Sequence, residues 1–242
     1  TDADISDIAL RFLDFTTKQC VYIKNEYLHN KGIKAKEIFS YDTFLQKLKK
    51  EKKFLCCCDS KLQVELLYKD LDDDTVKIIT SETDEYINLD SYDKVIFSPK
   101  IIYGLDSTLE RPVYCYYKER TITPTAMIQQ ISRCRNITTL HFLFTKKKFR
   151  ENTNTIEDVK KYLIECNKLG CNYFNILCQQ IVNDQYLELL TKFEYNYECY
   201  RTNKFSHFIK LLDERGFIRD NVFDRTDVKE ADKSLKELKQ EQ

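Results

Sequence analysis

Short apolar runs set the rhythm of the middle of this chain. FLCCC (54–58), VKIIT (76–80), DKVIFS (93–98), PVYCYY (112–117) and TLHFLF (139–144) are each bounded by polar or turn-forming residues. Segments with helical spacing of apolar positions lie between the first of them. YDTFLQKLKKEKK (41–53) carries Phe44, Leu45 and Leu48 on one side, and SKLQVELLYKDL (60–71) follows the first run. Compact apolar runs alternating with amphipathic helices predict buried strands of a mostly parallel sheet with helices on both faces, an α/β fold. In open sheets of that kind ligands collect at the carboxyl ends of the strands. That places the expected site at Asp59–Lys61, Thr80–Glu82, Ser98–Asp106 and the segment one helix later.

The pattern changes on either side of this centre. Ile5, Ile8, Ala9, Phe12 and Phe15 share a helical face behind a capping Asp4, and CVYIK (20–24) reads as a strand. The stretch around NKGIK (30–34) reads as a loop. Beyond Thr145 the periodicity is helical: IEDVKKYLIECNKLG (156–170), stopping at Gly170, then CNYFNILCQQIVNDQYLELLTKF (171–193) and NKFSHFIKLLDERGF (203–217). In the last, Phe205, Phe208, Ile209 and Leu212 line one side, and Gly216 with Phe217 supplies a helix stop. The tail 227–242 is charged all round. The expected organisation is therefore a helix and strand (1–36) packing on or leading into an α/β lobe (37–150), then an all-helical extension (151–242).

Composition narrows the chemistry. Four glycines in 242 residues leave no GxxxxGK phosphate loop, GxGxxG turn or GxSxG elbow. Three isolated histidines write no HExxH. Lysine plus arginine (39) balances aspartate plus glutamate (39), which argues against bulk attraction to nucleic acid or an anionic membrane but permits a locally basic cleft. KLKKEKK (47–53) and KKKFR (146–150) are basic runs that read as solvated faces or loops ahead of phosphate contacts. Ten cysteines form no CxxC pair, and Cys56, Cys57 and Cys58 stand in a row, as small apolar residues of a reduced interior do. Cys166, Cys171, Cys178, Cys199 and His207 match no metal spacing, so no metal site is expected. No apolar run approaches the length of a membrane span. The chain begins with threonine, and its one methionine is Met127, so a processed chain or a piece of a longer one is expected.

One stretch stands out against this background. QQISRCRN (Gln129–Asn136) sets two arginines one residue apart behind two glutamines. On a helical wheel Met127, Ile131 and Cys134 form a narrow apolar stripe, with Gln129, Ser132 and Arg133 pointing away. A continued helix would swing Arg135 towards Ile128, so the arginines can share a target only if the helix ends near them. The plain alternative is that both bond the last helix carbonyls.

QQISRCRN resembles motif VI of the superfamily 2 helicases, SPKIIYGLD (98–106) resembles motif V, and FLCCCDSK (54–61) resembles motif IV. The three occur in that order over roughly residues 40–150. With the short arginine spacing they most resemble the herpesvirus-type replication origin-binding helicases of large DNA viruses. The resemblance implies a second RecA-like lobe. ATP and Mg²⁺ would be held mainly by a first lobe missing from this chain and joined to it in cis. Arg133 and Arg135 would neutralise charge on the transferred phosphoryl group, which arginines supplied across an interface do elsewhere. Gln129 would help position the phosphates or a water, with Asp106 and Gly104 at the nucleotide. Ser98, Lys100, Ser60, Lys61, Thr80 and Ser81 would follow the backbone of a single DNA strand in the groove between lobes.

Further implied partners are a replication origin and other replication proteins, in a reducing compartment such as host cytoplasm, a viral factory or the nucleus. Two departures stand out: Ser132 replaces the family's glycine, and Asn136 occupies the usual place of the second arginine. The competing readings are a non-enzymatic RecA-like scaffold and a double-strand translocase.

Overall fold

A computed structural model describes residues 27–83, 87–101, 104–118, 122–145, 155–174 and 184–220. The expected helix 1–16, strand 20–24, basic run 146–150 and tail 227–242 lie outside them. Two compact units divide the chain: residues 1–26 with 148–204, and residues 27–147 with 205–242.

The larger unit is the α/β body. Its elements run β1 (Lys34–Glu37), α1 (Tyr41–Lys50), β2 (Phe54–Cys58), α2 (Lys61–Leu71), β3 (Val76–Ile79), a 3₁₀ turn (Leu89–Ser91) and β4 (Lys94–Phe97). They continue through β5 (Ser107–Tyr117), α3 (Pro124–Ile131), β6 (Cys134–Phe144), α6 (Lys204–Glu214) and β7 (Ile218–Arg219). The strands form one sheet in the order β3-β4-β2-β5-β6-β1-β7. Every pair is parallel. The α/β class expected from the sequence holds.

Alternation along β2 shows how the sheet is covered. Leu55 and Cys57 face one core with Met127, Ile131, Phe208 and Leu212 from α3 and α6. Phe54, Cys56 and Cys58 face the other with Phe44, Leu48, Val64 and Leu67 from α1 and α2. A strand buried on both faces has no polar side, which is why FLCCC reads as an unbroken apolar run. Helix starts follow local chemistry. Ser40, Ser60 and Thr123 each accept an N–H of the first turn, from Thr43, Gln63 and Ala126, and Pro124 fits the first position of α3.

Three expectations change. NKGIK was expected to be a loop, but its last lysine opens β1, whose KAKE buries only Ala35. Cys134 opens a strand instead of closing a helix, because α3 stops at Ile131. The end of the expected helical extension belongs to the sheet body. Phe205 and Phe208 pack edge-on against Phe144 and Phe142, and β7 pairs with β1. The stop at Gly216 is present as expected, with φ +85° and Phe217 buried. A Cβ there would meet the Lys31 backbone at 3.1 Å, so a side chain is excluded twice over.

In the smaller unit α4 (Ile156–Phe174) and α5 (Asp184–Thr202) pack on each other. Thr155 and Asp158 cap α4 reciprocally: the Thr155 hydroxyl accepts the Asp158 N–H and the Asp158 carboxylate accepts the Thr155 N–H. The helix passes through Gly170 where a stop was expected, so that glycine serves no turn.

One core-flanking group sets a pH limit. His141 on β6 stacks on Tyr114 of β5 with ring centroids 4.8 Å apart. Burial, then the charges of Lys47 and Lys36, push its pKa from 6.5 down to about 4. The unfolded chain therefore takes up a proton that the folded chain refuses, and stability falls as pH drops from about 6.5 towards 4. Urea midpoints at pH 7 and pH 4.5 test this: the drop should shrink in His141→Gln. An undiminished drop would assign it to other groups.

Candidate functional site

β5 and β6 are longer than their apolar cores. PVYCYY and TLHFLF are only the carboxyl halves; the amino halves, STLER and CRNIT, run past β2 and pair with each other. Register shifts between Ser107 and Glu110, and again between Arg111 and Val113, break the ladder there. Such bulges bend strands and re-aim side chains.

The arginine pair lies at the start of β6. α3 ends at Ile131, with Ser132 as its cap, and the chain turns at once into the strand. The Ser132 hydroxyl donates back to the Ile128 carbonyl (2.9 Å). Arg133 and Arg135 converge on one carboxylate, Asp106, on the residue before β5. Arg133 Nη1 lies 2.9 Å from Asp106 Oδ1. Arg135 reaches Oδ2 with Nη2 at 2.5 Å and Nε at 3.1 Å. Arg133 Nε also donates to the Gln129 carbonyl (3.1 Å), so this arginine does what the plain reading expected as well. The two guanidinium groups and one carboxylate keep one net positive charge, suited to an anion.

The backbone underneath is tied across the strands. Ser107 N donates to the Arg133 carbonyl (2.6 Å), and Asn136 Nδ2 donates to the Thr108 carbonyl (2.6 Å). His29, in the loop before β1, sets Nε2 2.6 Å from the Arg135 carbonyl. Gly104 has φ +86° with nothing within 4 Å of a built Cβ. It supplies the positive φ of the backbone turn that leads into Asp106.

This cluster sits at the amino ends of β5 and β6. The expectation that it would share the carboxyl rim with the other candidates is corrected. The chain leaves β4 at its carboxyl end after Ser98 and must return to the start of β5. On the way Ile101 and Leu105 pack into the core beneath the sheet. α3 likewise carries the chain from the end of β5 back to the start of β6.

The proposed strand-contact residues gather at the opposite rim, after β2, β3 and β4. Ser60 caps α2, exchanging bonds with Gln63. Lys61 pairs with Glu82 and with Glu65, and the hydrogen bond to Glu82 raises its pKa. Lys100 Nζ donates to the Thr83 carbonyl. Thr80 and Ser98 are buried, and their hydroxyls accept the N–H groups of Glu82 and Lys100 in tight turns. Ser81 is exposed. The rim is real, but local turns and caps account for most of its hydroxyls.

Two glutamines behave differently from expectation. Gln129, read as pointing off the apolar stripe, is buried. Gln130, which nothing in the sequence singled out, is fully buried. It donates Nε2 to the Cys58 carbonyl and accepts from Tyr117 Oη, linking α3 to the end of β2. Sequence reasoning also missed Arg111 and Asp90. Arg111 is 1% exposed inside a strand. A lone arginine amid LERPVYCYY was the available signal. Among the described residues no three His, Cys, Asp or Glu side chains come together as metal ligands, and no helix is long and apolar enough to cross a membrane.

No family model matches the chain, and no curated protein matches it in sequence. Among solved structures it is similar to S. cerevisiae Dbp5 bound to RNA and ADP BeF3, at 11% identity and a TM-score of 0.43. The match covers 61% of this chain and 44% of that one. The chain thus spans less than half of that protein, and the likeness is too slight to say what this one does.

Proposed function

We propose that this chain is the second motor lobe of an ATP-dependent helicase of the superfamily 2 kind, acting on DNA in viral genome replication. The observation that carries the proposal is the convergence of Arg133 and Arg135 on Asp106. Residues of the motif V and motif VI stretches, 27 or more positions apart, meet in one cationic cluster. ATP would supply the phosphoryl group that passes to water. Arg133 and Arg135 would face the charge that develops on it, exchanging Asp106 for phosphate oxygens. Asp106, released, would be free to accept from the nucleotide sugar. The phosphate cradle and the Mg²⁺ ligands would belong to a first lobe. The opposite rim, with Lys61 and Lys100, would follow the strand.

The test is direct. This chain alone should not turn over ATP. Joined to its first lobe, it should hydrolyse ATP when single-stranded DNA is added, with RNA of the same length as the comparison. Turnover by the chain alone would contradict the division of labour. Stimulation by RNA and not by DNA would replace the DNA assignment.

A further inference from the structure

Asp106 stands where the sheet holds the chain by a single pairing, that of Ser107 with Cys134. It precedes β5, and the first register shift follows immediately, between Ser107 and Glu110. Beyond the single Ser107–Cys134 pairing, regular register therefore resumes only at Glu110. The 3₁₀ turn Leu89–Ser91 supplies what the ladder lacks. Asp90 accepts from Ser107 Oγ at 2.7 Å, from Thr108 N at 3.0 and 3.1 Å, and from Thr108 Oγ1 at 2.6 Å. Arg111, two residues past Leu109, reaches back into the same place. Its Nη2 donates to Ser107 Oγ (2.6 Å) and the Leu89 carbonyl (3.2 Å), its Nη1 to the carbonyls of Tyr92 (2.8 Å) and Asp93 (3.2 Å).

The Ser107 hydroxyl thus accepts from Arg111 and donates to Asp90, which uses a hydroxyl in both its senses. Against burial, which pushes it up, hydrogen bonds from Thr108 and Ser107 hold the Asp90 carboxyl at about 2, so it is ionised throughout the working range. The charged bonds are the stronger sort.

We infer that Asp90, with Arg111 behind it, is a positioning residue for the nucleotide-facing cluster, setting Asp106 and through it both arginines. This rests on the motor-lobe reading. It acts at a distance of one to two residues from Asp106, through Ser107 and Thr108, and touches no nucleotide. Placement errors of about 1 Å at such a centre cost up to a hundredfold in rate.

The experiment uses the full-length protein in nucleic-acid-stimulated ATP hydrolysis, with kcat and KM measured separately. Asp90→Asn keeps the shape and removes the charge. Thr108→Val keeps the branched strand residue and removes the hydroxyl, and Thr108→Ser restores the hydroxyl. Asp90→Asn should lower kcat about tenfold with KM for ATP changed less than about threefold, because the arginines act in the transition state. Thr108→Val should lower kcat in the same sense, and Thr108→Ser should recover it, with melting temperatures of the two Thr108 variants matching. Wild-type kcat in both Asp90→Asn and Thr108→Val, beside an impaired Arg133→Lys, overturns the positioning role and leaves the motor reading standing. Wild-type kcat in Arg133→Lys as well overturns both. If Asp90→Asn fails to fold, the two Thr108 variants decide.

Discussion

Replacing Arg133 by alanine in the full-length protein is expected to lower kcat for ATP hydrolysis about 10³-fold or more, the range arginines supply in phosphoryl transfer. Lysine in its place should recover only part of this, because an ammonium keeps the charge and loses the planar fork. Arg133 is favoured over Arg135 on geometry. Its side chain is 15% exposed against 47% for Arg135. It is held from two sides, by the Gln129 carbonyl through Nε and by Asp106 through Nη1. Among the described residues the Arg135 guanidinium is held only by Asp106, through Nε and Nη2, so it has more freedom to lose on engaging a phosphate. Its alanine variant should therefore cost less, by about tenfold. Steady-state hydrolysis with and without DNA measures both. Stability should barely move, since partly exposed ion pairs contribute about 0–1 kcal/mol. An Arg133→Ala protein that hydrolyses ATP normally would leave the scaffold reading in possession.

How much of this was legible in the sequence follows from where side chains spend their polarity. FLCCC, DKVIFS, PVYCYY and TLHFLF could be read as strands because both their faces are largely buried, so their apolar runs are interrupted only at His141. KAKE and the two-residue β7 could not, because this margin of the sheet buries little; β1, second from the edge, hides one side chain, Ala35, and β7, the edge strand, none. The convergence of Arg133 and Arg135 was conditional on the helix ending near them, and it ends at Ile131. The rim was misread for a physical reason. STLER and CRNIT are mostly polar and bulged, with only Cys134 and Ile137 in the apolar core, so their sequence carries no strand pattern and the strands read as beginning about five residues later than they do. With the starts hidden, Asp106 looked like the end of one strand when it is the approach to the next. Gln130 left no trace because a single buried polar residue has no periodicity, and Arg111 left only its lone presence beside an apolar run.

Arg111→Met should be the most destabilising of these changes, by about 3 kcal/mol, which corresponds to a fall in melting temperature of about 10 °C for a chain of this size. Methionine fills a similar space, so a cavity is not the cause. Instead the carbonyls of Leu89, Tyr92 and Asp93 and the hydroxyl of Ser107 lose the donors of a guanidinium whose residue is only 1% exposed. A buried acceptor that has left water and finds no partner carries its full desolvation cost. Losing the neighbouring cation also removes its attraction for the half-buried Asp90 carboxylate, a smaller addition. Lysine at this position should recover less than half. A single ammonium can reach either the 89–93 turn or Ser107, whereas the fork spans both. Urea denaturation of Arg111→Met and Arg111→Lys beside Arg133→Ala separates the roles: the first two shift the midpoint and the third does not. A midpoint for Arg111→Met equal to that of Arg133→Ala would mean water reaches those carbonyls, and the buried clamp between the 3₁₀ turn and β5 would have to be given up.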